Sequence, residues 1–417
     1  MNPWRGLEGL PRDLWLICGA VLINRTGTMV LPFLVLYLTG SRGFSVAEAG
    51  FAVTLYGVGS LVTAPVAGAL CDRIGSLPVI RGSLLLSGGL MILLPMAHGR
   101  QAILAAVLAL AVAAEGVRPA SMALVSESVP PGRQKAAFAL HRLAINLGMS
   151  VGPAVGGLLA GISFPLIFLV DGATSIAAGL VLALVPLPAV AAARRVAEAA
   201  RAGSSGEVGL AGRLRGELAA FSDRRLLLFL AAFLPALLVF FQHQASMPLY
   251  LVRDLGMNEA AYGLLFTVNT GLIILLEVPL NLAMSSWPYH RALPLGALLT
   301  GVGFGAMGLA SGFSSVALTV VLWTFGEMIL LPGASAWVAE IAPAGRSGAY
   351  MGLFVMTFSL AFATGPWIGA FVYERFGSGT LWGAAFLCGL LSAVMLLGIR
   401  ERPGPHGLHS APGNSAG

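Results

Sequence analysis

Residues 164–188 read FPLIFLVDGATSIAAGLVLALVPLP and carry a single charge, Asp171. A helix rises 1.5 Å per residue, so a segment of this length crosses a hydrocarbon core of about 30 Å. A soluble surface helix would need a polar face, and this one has none. Working outward, comparable apolar stretches occupy 14–38, 46–70, 79–98, 101–127, 137–161, 226–251, 260–284, 292–312, 315–340, 349–374 and 379–399. Composition agrees: 10% of residues are charged and 57% hydrophobic, whereas a soluble domain carries about 25% charge. The first stretch is too long for a signal-peptide core and holds Arg25 and Pro32, so it reads as a retained helix. The expected fold is an all-α membrane protein of twelve transmembrane helices in two pseudo-symmetric six-helix bundles.

The organisation predicted is a six-helix bundle over 1–188, a polar linker over 189–225, a second bundle over 226–400 and a disordered tail over 401–417. A short amphipathic helix from Leu210 to Phe221 is expected in the linker. With the amino terminus placed in the cytoplasm, 18 of the 24 lysines and arginines fall on that side, Arg142 among them. Four fall opposite, and Arg25 and Arg118 lie inside helices. The positive-inside rule then puts both termini in the cytoplasm. The halves also repeat. Gly50, Thr54, Glu127, Gly132, Arg133, Gly152, Pro153 and Gly156 recur 213 positions later as Gly263, Thr267, Glu340, Gly345, Arg346, Gly365, Pro366 and Gly369. Parallel repeats of this kind enclose a central site in transporters.

Three motifs carry a resemblance. Gly68-Ala-Leu-Cys-Asp72-Arg73-Ile-Gly75, between helices 2 and 3, resembles the loop signature of the major facilitator superfamily. The basic residues that usually follow its second glycine are Ser76 and Leu77 here. Gly148-x3-Gly152-Pro153-x2-Gly156-Gly157 in helix 5 is similar to the motif of that family's drug:proton antiporters. Residues Arg25 to Leu38 resemble one bacterial branch of such exporters. The resemblance implies a multi-pass protein of the bacterial cytoplasmic membrane, with helices 1, 4, 7 and 10 around a central cavity. Read physically, Glu127 is a partner for Arg73 at the cytoplasmic ends of helices 4 and 2, the alternative being a solvated loop with a tight glycine turn. Gly148, Gly152 and Gly156 share one helix face and admit a close neighbour, which requires no antiport. Pro153 bends that helix or frees a carbonyl.

The intramembrane charges are the most informative residues. Arg25, Glu115, Arg118, Glu277 and Glu327, if they faced lipid, would together cost on the order of 12–17 kcal/mol. Such groups persist where they pair, meet water or work. Glu115 and Arg118 are three apart on one helix face, and Arg25 can take Glu115 across the interface, so a purely structural ion pair is the competing reading. Arg25, Glu115, Arg118 and Glu327 are expected to converge on one cavity, joined by Gln242 and His243 of helix 7. Glu327 or Glu115 is the candidate proton carrier. His243 is equally readable as a hydrogen-bonded packing residue. Glu277 is a secondary candidate that alternatively caps backbone freed by Pro279, and Asp171 is read as structural.

Other chemistry is excluded or not expected. Gly303-Phe-Gly305-Ala-Met-Gly308 spells a dinucleotide fingerprint inside an apolar helix with no preceding strand. Asn24-Arg-Thr26 is an accidental glycosylation sequon. Cys18, Cys71 and Cys388 have neither metal spacing nor a disulfide count. No Walker loop, metal cluster or nucleophile elbow occurs, so no cofactor, no metal and no enzymatic activity are expected. The net charge of +6 belongs to the membrane orientation, not to nucleic acid. The expected function is a secondary transporter, acting as a monomer in the bilayer, that exchanges small amphipathic compounds for protons. Symport or lipid translocation on the same scaffold is the alternative, with a non-transporting sensor behind it.

Overall fold

In hydrocarbon no water is at hand for peptide groups, so an apolar chain satisfies its N–H and C=O internally, as helix. The computed structural model describes residues 9–130, 133–188, 190, 222–284, 286–343 and 347–399. Its spans, numbered in chain order, are Arg12–Ser41, Val46–Cys71, Ser76–Met96, Arg100–Glu127, Ala136–Ile162, Phe164–Leu184, Arg224–Gln244, Glu259–Ala283, Tyr289–Leu309 and Phe313–Ile341, then a long stretch Ala349–Leu397. Gly377, at φ 82° and ψ 168°, divides that stretch into spans 11 and 12. Twelve apolar spans in two six-helix bundles result. The proposed linker and tail lie almost wholly outside the described residues, as does the expected amphipathic helix at 210–221.

Helix ends follow local chemistry. Ser45 and Glu48 form a reciprocal capping box at the start of span 2. Asp223 starts span 7 two residues earlier than the hydropathy suggests, because its carboxylate accepts from the N–H groups of Arg225 and Leu226. Burial pushes this carboxyl up, yet those bonds and the Tyr350 hydroxyl, 2.5 Å away, hold it below the usual carboxylate range. Span 6 stops at Leu184, short of the expected 188, where Val185 turns extended ahead of Pro186.

Three spans are interrupted, and in each a proline follows within a few residues of the break. Span 1 is helical over Arg12–Thr26 and again over Val30–Ser41. Span 4 divides at Gly116 into Arg100–Glu115 and Val117–Glu127. Span 7 leaves α-helix at Phe240, makes a tight turn over Phe241–Gln244 and resumes at Ser246. Pro32, Pro119 and Pro248 have no N–H to offer the carbonyls of Thr28, Glu115 and Gln244. Other spans tolerate prolines without breaking, Pro65 and Pro153 among them, so the breaks also depend on groups that take over the freed backbone.

The repeat of 213 positions is visible as geometry. A methyl group added at Gly152 would stand 3.0 Å from the carbonyl oxygens of Arg25 and Thr28, at the break of span 1. At Gly365 it would stand 3.2 Å from the carbonyl of Leu238 and 3.4 Å from Phe241, the residues 213 positions on. Gly156 faces Met29, and Gly369 faces Gln242. Across the halves, a methyl group added at Gly50 would stand 3.3 Å from the carbonyl oxygen of Pro366, and one at Gly263 would run into that of Pro153. These seams between spans 2 and 11 and spans 5 and 8 lie toward the end remote from the termini. There Gly157 meets the backbone of Glu259 and Ala260, and the Ala47 N–H donates to Glu374 at 2.9 Å.

Gly148 is packed against Arg25, with the Arg25 carbonyl carbon 2.9 Å from where a methyl would sit, whereas Gly161 on the same helix has nothing within 4 Å. Gly148→Ala is expected to cost about 1–3 kcal/mol by overpacking and Gly161→Ala close to nothing, read as thermal unfolding of the purified protein in detergent.

Candidate substrate cavity

The breaks of spans 1, 4 and 7 meet around one cavity of ≈230 Å³ between the halves. Arg25 and Asp171 reach it from spans 1 and 6, Glu115 and Arg118 from span 4, and Gln244 from span 7. Its apolar wall includes Tyr56, Phe241, Phe358 and Phe362, with Tyr56 and Phe362 edge to face at 6.3 Å.

The charged groups are unequally committed. Asp171 Oδ2 accepts from the N–H groups of Met29 and Val30, at 3.0 and 2.9 Å, and so caps the resumed helix of span 1. A carboxylate suits that position, since a helix N-terminus carries partial positive charge. Asn24 donates to Ser175 of the same span 6 at 3.0 Å, tying the break on its other side. Glu115 and Arg118 approach to 4.0 Å, an ion pair too long for a hydrogen bond. The Arg118 side chain is 65% exposed and that of Glu115 15%. Arg25 forms no ion pair within 4.0 Å among the described residues, and its Nε is buried with no hydrogen-bond partner. The expected bond between Arg25 and Glu115 is therefore not formed.

Glu327 stands elsewhere. It lines a separate cavity of ≈320 Å³ with Arg142, Asn146 and Glu277, and its Oε2 accepts from Asn269 at 2.9 Å. The four charges expected on one cavity are thus three plus one. Glu277 does not cap backbone near Pro279; its carboxylate pairs with Arg142 of span 5, across the two halves. Arg142 belongs inside the span Ala136–Ile162, not to the cytoplasmic loop in which its charge places it. Its partner lies 135 residues away, a distance that periodicity does not read.

Nor do Gln242 and His243 line the central cavity. Gln242 Nε2 donates to the carbonyls of Leu238 and Gly365, and its Oε1 accepts from Ser246, so the amide secures the break of span 7. His243 is buried among aromatic rings, 4.8 Å from Phe240 and 6.2 Å from Trp323 between centroids. Its Nδ1 meets the Phe240 carbonyl at 2.6 Å, and its Nε2 meets Gln244 Nε2 at 2.9 Å. Glu127 takes Ser76, not Arg73: the hydroxyl donates at 2.5 Å. Ser76 stands where the resembled signature is basic, and it reaches span 4 from the turn that Gly75 makes at φ 92°. Arg73 is exposed, and Gly68 has open space beside it. The Asp72 side chain and residues Gly132, Gly345 and Arg346 lie outside the described set. Nothing in the sequence singles out Tyr56 or Asn269; Arg142 reads there as a cytoplasmic charge, and Gln244 stands out only as the end of the polar run Gln242-His243-Gln244. Among the described residues no group of three His, Cys, Asp or Glu side chains could hold a metal.

A polytopic bundle whose halves repeat around a charged central cavity defines a membrane transporter, not an enzyme. The sequence profile of the Major Facilitator Superfamily matches residues 16–258 and 228–416, and the chain belongs to that family. It is 23% identical over 410 residues to the uncharacterized MFS-type transporter YqjV of Bacillus subtilis, covering 96% of this chain and 94% of that one. It is 22% identical to a Na(+), Li(+), K(+)/H(+) antiporter of Planococcus maritimus, covering 84% and 87%. It is 24% identical to the multidrug resistance protein MdtH of Aeromonas salmonicida, covering 81% of each. Its fold matches a POT family transporter crystallised with 5-aminolevulinic acid, at TM-score 0.73 and 17% identity over 95% and 96% of the two chains. A D-xylose-proton symporter matches at TM-score 0.71 and 15% identity over 93% and 97%.

Asp171→Ala would strand two buried N–H groups, at about 1–3 kcal/mol each. It is expected to abolish a monodisperse folded protein in size-exclusion chromatography, whereas Asp171→Asn, which keeps an acceptor oxygen, is expected to remain folded.

Proposed function

We propose that the protein exports small amphipathic compounds in exchange for protons, by alternating access, from the cytoplasmic membrane of a bacterium with both termini in the cytoplasm. The observation that carries this reading is the placement of Arg25, Glu115 and Arg118 on one cavity between the halves, each beside a broken helix. A broken helix gives its neighbouring side chains a place to move without unfolding the span. Glu115 sits in an apolar wall with a cation at 4.0 Å. In this reading a substrate that draws Arg118 away leaves Glu115 without its cation, and Glu115 is the group that takes the exchanged proton. Glu327, held by Asn269 in its own cavity, is a second carrier beside the cross-half pair of Arg142 and Glu277. The likeness to an antiporter and to a multidrug resistance protein supports exchange and breadth of substrate.

The test is proton flux in proteoliposomes under an imposed pH gradient, with a panel of amphipathic dyes and a pH indicator trapped inside. Substrate-dependent flux is expected from the native protein and a loss of tenfold or more from Glu115→Gln or Glu327→Gln. If both variants keep the native flux, the carboxylates are wrongly assigned. If the dyes accumulate on the cytoplasmic side, the direction is wrong.

A further inference from the structure

We propose that the central cavity takes an amphipathic anion, a compact aromatic molecule bearing a carboxylate, and that Arg25 and Arg118 hold the carboxylate. The proposal deepens the exporter reading and rests on it for transport, but the binding site stands on its own geometry.

Four charged side chains line the cavity: Arg25, Glu115, Arg118 and Asp171. Asp171 is committed to the helix end at Met29 and Val30. Two guanidinium groups are left facing the single carboxylate of Glu115, which reaches one of them at only 4.0 Å. Arg25 Nε is buried and donates to nothing. A guanidinium offers five donors in a planar fork that matches a carboxylate two bonds at a time. An entering anion would therefore meet guanidinium donors already in place, at least one of them, Arg25 Nε, without a partner. An entering cation would have to displace Arg118 from Glu115 or the two N–H groups from Asp171, with the buried Arg25 beside it.

The rest of the ligand is read the same way. Gln244 Oε1 is a buried acceptor without a partner, which suits an N–H or O–H on the molecule. Phe241, Phe358 and Phe362 supply ring faces and edges for an aromatic body. At ≈230 Å³ the space holds a compact molecule and not a two-chain lipid.

The test uses the full chain in nanodiscs of zwitterionic lipid and three probes with one ring system: 2-naphthoate, 2-naphthamide and 2-naphthylmethylammonium. Binding is measured by equilibrium dialysis. The expected order is naphthoate at least tenfold tighter than either other probe. Arg25→Gln and Arg118→Gln should each remove most of that advantage, Arg25→Lys should keep part of it, and amide binding should not change. The proposal is overturned if the ammonium binds tightest, if the three bind alike, if none binds, or if naphthoate binding ignores both glutamine variants. The comparison among probes on the native protein holds even where a variant fails to fold. Loss of naphthoate binding in nanodiscs of anionic lipid would give the arginines to a lipid headgroup and overturn the free carboxylate. Binding in the expected order by a protein without gradient-driven flux would keep this site and remove the exporter reading. Flux that responds only to cationic dyes would do the reverse.

Discussion

Two peptide N–H groups, those of Met29 and Val30, constrain much of the first half. They begin a helix in the middle of the bilayer, where an unsatisfied donor costs several kcal/mol. Asp171 of span 6 satisfies both. That one carboxylate lets span 1 break, and the break can lie against span 5 because Gly148, Gly152 and Gly156 carry no side chain there. Arg25, on the last turn before the break, is thereby presented to the cavity instead of to lipid.

The second half ties its break with neutral chemistry and from the opposite side of the peptide group. Span 7 breaks at the position 213 residues on, and there a side-chain amide donates to carbonyls where Asp171 accepts from N–H groups: Gln242 bridges the Leu238 and Gly365 carbonyls. Around it the side chains are rings, with His243 lodged between Phe240, Phe266 and Trp323. The duplication has kept the backbone geometry and divided the chemistry. Charge lines the cavity from the first half and aromatic surface from the second, which makes the cavity amphipathic from wall to wall.

Glu327 shows a different economy. Its carboxylate is tied to Asn269, which itself bonds Thr324, so spans 8 and 10 are joined by a polar chain inside one half. The cavity beside it also receives Arg142 and Glu277, the ion pair that crosses from span 5 to span 8. Removing Arg142 would strand the carboxylate of Glu277, whose side chain is 10% exposed, and that seam shares its cavity with Glu327, apart from the central one.

Much of the architecture is local and therefore legible in the chain. Span length, charge asymmetry, the offset of 213 and the glycine face of helix 5 each follow from residue types at fixed spacings, and helices in lipid are nearly obligatory. Three of the four charged residues on the central cavity were legible as costly intramembrane groups, and Asp171 was legible as structural. Pairings were not. Sign alone matches Glu127 to Arg73, but the turn at Gly75 brings Ser76 to it. Arg142 reads in the sequence as a loop charge because a residue near a helix end looks the same whether it snorkels outward or turns inward. The division of Glu327 from Glu115 is decided by which helix faces meet, and a helix shows its own faces without naming the neighbour. Sequence alone determined that this chain spans a membrane twelve times and keeps charge within it. Only tertiary packing decided which charges share a cavity, because partners more than a hundred residues apart leave no mark on local periodicity.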